Sequence, residues 1–184
     1  MTQRFDPTRS IRYDLERGQL RDEEGTLRLN IPAALLLRLC ESAGEAATRD
    51  FLSALGTDIG RRIQAALGQD LSAAPIESWA EHLGGQLALL GMGELLIERW
   101  GKALVLRVRG APEELKGLIG VLLEAVLQRA LGRELRLPGF SEGADAAFLV
   151  VSPSTSEEVY RLAGTGASLL RVIEVLHEKT RGAA

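Results

Sequence analysis

The groups with the means for chemistry are few in this 184-residue chain, and their spacing limits each of them. Neither His82 nor His177 has a second His or Cys three or four residues away, so neither completes a metal-binding helix face. A surface or helix-capping role is the expectation for both. Cys40, the single cysteine, stands among leucines, the setting of a small buried hydrophobe. One thiol allows no internal disulfide and no multi-cysteine zinc cage. The carboxylate pairs Glu113-Glu114 and Glu157-Glu158 fall at expected helix starts, where the helix dipole accounts for them. Gly91-Met92-Gly93 and Gly164-Thr165-Gly166 lack the strand-before, helix-after spacing of a phosphate loop and read as a turn and a kink. Arg61-Arg62 with Arg49 suits an anion or a solvated helix face equally. No Ser/His/Asp or Cys/His set assembles. The expectation is a non-enzymatic chain that needs no cofactor.

Composition narrows the class further. Hydrophobic residues make up 46% and aromatics only 4%, so a core must come from Leu, Val, Ile and Ala. A formal net charge of -3, with acids and bases interspersed, offers no basic field for nucleic acid. The first 25 residues are too polar for a signal-peptide core. Apolar runs are broken by Glu, Arg or Gly short of the roughly 20 residues of a membrane span, so no integral membrane segment is expected and the cytoplasm is the default location.

These groups must be positioned by a chain that alternates strands and helices. Residues 1–10 are aperiodic and expected to be mobile; residues 11–184 read as one domain. Residues 11–31 suggest a hairpin turning at Asp22–Gly25, with Leu27, Leu29 and Ile31 alternating as a half-buried strand. Pro32 suits the first turn of a leucine-dense helix that ends at Gly44. Residues 45–67 form a second helix with Phe51, Leu52, Leu55, Ile59, Ile63 and Leu67 on one face. Gly56 and Gly60 lie beside that face, and close approach of another element is their best justification. A loop over 68–74 precedes a third helix opened by Pro75, with Trp79, Leu83, Leu87 and Leu90 in a stripe. Residues 94–100 and 103–110 are strands joined around Gly101-Lys102, one face on helices and one partly wet.

The helix over 113–132 is apolar around most of its circumference, including Leu118, Leu122 and Val126, and must be buried on more than one side. A sheet covers one side, and a second helix or a partner chain the other. Its polar stripe is narrow: Lys116, Gly120, Glu124 and Gln128, spaced by four. Residues 134–137 and 147–151 read as strands around a Gly/Ser/Asp loop. After Pro153, Ser154-Thr155-Ser156-Glu157 has the form of a capping box. One kinked helix or two short ones follow. The fold class is α+β, helices on a mostly antiparallel four-stranded sheet.

This order resembles the superfamily joining vinyl-reductase-type (V4R) small-molecule-binding domains with Bet3-type subunits of the TRAPP vesicle-tethering complex. Residues 29–63, with the glycine-punctuated helix, are similar to its opening helix pair. Residues 82–110 look like its middle helix and hairpin, and residues 117–151 like its last helix and strand pair. Many V4R-type members carry a metal pattern near that strand pair, where this chain has Leu137 and Ala146 in place of two cysteines. The resemblance therefore implies a domain without that zinc-type site. Bet3-type subunits can carry an acyl chain on a cysteine after the second helix, and residues 68–78 contain no cysteine here.

Two functions follow. One is a homodimeric scaffold or adaptor with protein partners, pairing through Gly56, Gly60, Leu118, Leu122 and Val126; by resemblance it would serve a small-GTPase system. The alternative is a V4R-type sensory domain holding a lipid or small apolar molecule, with Cys40, Trp79 and Leu83 as pocket candidates.

Overall fold

The computed structural model describes residues 4–68 and 74–182. Part of the mobile segment expected over 1–10, residues 1–3, and most of the expected loop, residues 69–73, lie outside the described residues. Asp6 caps the helical turn α1 (Pro7–Ser10), its carboxylate accepting the Thr8 N–H at 2.9 Å. A small antiparallel sheet follows: β1 (Ile11–Asp14), β2 (Gln19–Asp22) and β3 (Leu27–Arg28). The expected single hairpin is thus two, because a first turn comes at residues 15–18, with Gly18 at φ +61°. The alternation of Leu27, Leu29 and Ile31 also misleads: all three are exposed, since no layer covers that face.

Helix α2 (Ala33–Ala43) starts after Pro32 and stops at Gly44, and none of its residues is fully buried. Helix α3 (Glu45–Leu67) follows at once. The chain continues through α4 (Ile76–Leu89), β4 (Glu94–Trp100), β5 (Ala103–Arg109), a 3-10 turn at Glu113–Leu115 and α5 (Lys116–Leu131). It closes with β6 (Gly139–Glu142), β7 (Asp145–Val150), α6 (Pro153–Gly164) and α7 (Leu169–Gly182). The main sheet has the order β4-β5-β7-β6, antiparallel throughout. Gly101, at φ +64°, makes the two-residue β4–β5 turn possible.

The sheet is covered on both faces. Leu106, Val108, Ala146 and Phe148 join the core formed with α3, α4 and α5. Val105, Ala147 and Leu149 form a second core with Val159 of α6 and Leu169, Val172 and Ile173 of α7. The far half of that second face stays polar, where Arg107 donates to Glu98 at 2.9 Å and also bonds Glu142. So two helices, not one kinked one, close on the core of the same chain.

Helix α5 is enclosed by the sheet on one side and α3 on the other. A Cβ at Gly56 would lie 2.5 Å from the Leu122 carbonyl oxygen, and one at Gly60 2.8 Å from that of Val126. The glycines let the two backbones touch, which offsets their helix penalty of about 1 kcal/mol each. Leu122 and Val126 are completely buried by this packing. The second cover of α5 is therefore a helix of the same chain.

Three further expectations change. Residues 134–137 make only an isolated bridge, Arg136 to Val151, and the strand lies in the expected loop, at Gly139–Glu142. Pairing with β7 decides this, not local pattern. The strand expected over 147–151 is there, but begins two residues earlier, at Asp145. The capping box does not form: the helix starts at Pro153 after Ser152, whose hydroxyl lies 2.9 Å from that of Ser154 and 3.0 Å from that of Thr155.

Candidate functional site

The polar stripe of α5 faces the segment leading into β6–β7, and each polar member bonds its backbone. Lys116 Nζ donates to the Gly143 carbonyl at 2.8 Å and pairs with Glu113 at 2.6 Å. Glu124 accepts the Leu137 N–H at 3.1 Å and the Arg136 guanidinium at 2.9 Å. Gln128 donates to the Leu135 carbonyl at 2.8 Å. These bonds pin residues 135–143 to the helix at three heights.

Between the pins α5 leaves open space at Gly117 and seats the Phe148 ring at Gly120. The result is a cleft of about 320 Å³. Its apolar lining includes Val121, Leu137, Ala146 and Phe148; Lys116 and Glu124 lie along it, and Tyr160 of α6 stands at one end. A Cβ at Gly120 would lie 2.9 Å from Phe148 Cε1 and one at Gly139 3.2 Å, so glycines cradle that ring. A Cβ at Gly117 would meet nothing within 4 Å.

A wider, shallower groove of about 740 Å³ adjoins the cleft between α3 and α5. The two share Arg49, Val121, Glu124 and Tyr160. Burial raises the Tyr160 phenol above its ordinary value, with the Glu124 charge adding to it against Arg136 and Arg49. The phenol therefore stays protonated and available as a donor at neutral pH.

The pocket candidates read from sequence lie elsewhere. Trp79 and Leu83 are filled into the core of α3, α4 and α5, and Cys40 sits half-exposed on α2, outside that core. None of the three lines either cleft. Of the pairing candidates, Gly56, Gly60, Leu122 and Val126 are taken up by the α3–α5 contact, and Leu118 packs partly buried against the core.

The expected surface position does not hold for His82, and His177 is half-buried. His82 is buried on α4, edge-on to Phe5 with ring centroids 5.9 Å apart. His177 packs over Gly101, its Nε2 buried without a hydrogen bond. Arg61 and Arg62 are not a free anion site either. Arg61 is held by Glu24 at 2.7 Å, Arg62 by Asp58 at 2.7 Å, and buried Asp22 pairs with Arg28 and, at 3.8 Å, with Arg62. This network ties the N-terminal sheet to α3.

Among the described residues no group of three or more His, Cys, Asp or Glu is placed to hold a metal. Leu137 and Ala146 put hydrocarbon on the cleft wall. Among the described residues no helix is long and apolar enough to cross a membrane. The sequence singles out Arg49, Leu137 and Ala146 on other grounds, and Lys116, Gly120 and Glu124 of the cleft only as part of a four-residue repeat on an otherwise apolar helix. That repeat was the usable signal.

No protein-family model and no curated protein matches the chain. Among solved structures it is similar to the phenol-responsive sensory domain of the transcription activator PoxR, determined with phenol, at 10% identity and a TM-score of 0.55, covering 83% of this chain and 91% of that one. At that identity the likeness is one of fold.

Proposed function

We propose that the chain is a sensory-type binding domain, without catalytic activity, whose cleft between α5 and β6–β7 holds a small, largely apolar molecule. One observation carries the reading: a cleft stands open at Gly117 beside Phe148, whose ring Gly120 and Gly139 seat, while Lys116, Glu124 and Gln128 tie α5 to the facing backbone. A hydrocarbon-lined concavity with a few placed polar groups is the usual form of a small-molecule site. The likeness to a fold that takes phenol in another protein supports the sensory reading over the scaffold reading. The V4R resemblance supports it too, with the metal replaced by an apolar wall. Native mass spectrometry of protein purified from cells tests it. Reproducible added mass, lost in Gly117→Leu, is the expected result; bare wild-type protein with no thermal shift from any small aromatic contradicts it.

A second reading concerns partners. Leu35 and Leu39 of α2 are 55% and 64% exposed, and the helix buries no residue of its own. An amphipathic helix without a cover suits pairing with a second copy or another protein. Light scattering decides the first: dimers that Leu39→Glu converts to monomers support homodimeric pairing, and monomers in the wild type contradict it.

A further inference from the structure

The cleft and the adjoining groove differ in charge, and the difference bears on the ligand. In a chain of net charge -3, the groove carries Arg49, Arg129 and Arg136 against one acid, Glu124. Arg136 is committed, at 2.9 Å to Glu124 and 2.8 Å to Glu134. Arg49 has only Glu45, 3.7 Å away on a side chain that is 90% exposed. Arg129 makes no ion pair among the described residues. Arg49, with that one exposed partner, thus stands where the groove meets the apolar cleft.

The polar groups also give the cleft a direction. At one end Lys116 is satisfied by Glu113 and the Gly143 carbonyl and offers an anion little. At the other, Tyr160 is half-exposed, and its hydroxyl makes no hydrogen bond among the described residues. Arg49 lines the cleft and the groove alike, and Arg129 the groove alone. Glu124 repels an acid least here, because Arg136 and the Leu137 N–H already hold both of its oxygens.

We propose that the ligand is an amphiphilic carboxylate, its apolar body against Phe148 and its acid group on Arg49 beside Tyr160. This rests on the ligand-binding reading above and names the class of ligand. Guanidinium groups bind carboxylates through paired charge-assisted hydrogen bonds, which a neutral isostere cannot replace.

The test is calorimetric titration of the full chain with 4-butylbenzoate and its neutral counterpart, 4-butylbenzamide, at neutral pH. The acid is expected to bind at least about tenfold tighter, and to weaken as salt is raised to about 0.5 M. Arg49→Gln brings the acid down to the affinity of the amide. Gly117→Leu weakens both probes, because it fills the cleft that holds the shared body. Equal binding of the two probes, the same in wild type and Arg49→Gln, overturns the acidic ligand while the binding domain stands. Acid binding that survives Gly117→Leu unchanged marks mere surface attraction and overturns it too. Binding of neither probe at millimolar concentration overturns both readings.

Discussion

The Glu124 carboxylate accepts the backbone N–H of Leu137 at 3.1 Å while its other oxygen holds Arg136 at 2.9 Å. One side chain on α5 thereby sets where the chain enters β6 and how wide the cleft beside it stands. Glu124→Ala leaves that N–H unpaired and Arg136 with Glu134 alone, a loss of about 1–3 kcal/mol. Urea denaturation measures the loss, and hydrogen exchange should place it at Leu137, with protection at Val105 unchanged.

The glycines of α3 and α5 should respond in opposite directions. Gly117 is helical, and a Cβ there meets nothing within 4 Å, so Gly117→Ala should stabilise by about 0.5–1 kcal/mol. Gly56→Ala drives a Cβ to 2.5 Å from backbone at Leu122 and should destabilise by about 2 kcal/mol or more. Thermal unfolding of the two variants beside wild type checks both signs.

Acid should loosen the N-terminal sheet before the core. Burial pushes the Asp22 carboxyl up, but the Arg28 hydrogen bond, the Thr26 N–H and the charges of Arg28 and Arg62 outweigh it and hold it below its ordinary value. The Arg61 hydrogen bond does the same for Glu24, and burial of Asp58 is likewise outweighed by Arg61 and Arg62. Folded values below unfolded ones mean stability that is fully present above the unfolded values and lost as pH falls through the folded ones. The loss should therefore begin below about pH 4. Asp22→Asn should flatten that slope and cost about 1–3 kcal/mol at neutral pH, since it leaves the half-buried Arg28 and Arg62 underpaired. Denaturation midpoints from pH 7 down to pH 3 give the comparison.

Much of the fold was legible because local signals and packing agree. Gly44 and Gly68, both at positive φ, bracket α3, and the sequence reading gives that helix its observed ends. The many-sided apolarity of α5 correctly required two covers, but which element supplied the second was a matter of tertiary structure. Residues 134–137 alternate like a strand and 139–142 do not, yet pairing with β7 makes the strand of the latter. Leu27, Leu29 and Ile31 alternate with no layer to face. In the cleft, Lys116, Glu124 and Gln128 were visible as a repeat, but their partners are backbone atoms, which sequence does not distinguish. Tyr160 joins them from another helix altogether.

The central claim is that the space between α5 and β6–β7 receives a ligand, and methyl NMR reads it most directly. On titration with 4-butylbenzoate, the methyl signals of Val121, Leu137 and Ala146 should shift and saturate together, and Gly117→Leu should abolish the response. Saturating shifts confined to the core around Leu83, or no saturating shift at the three cleft methyls, would contradict the account.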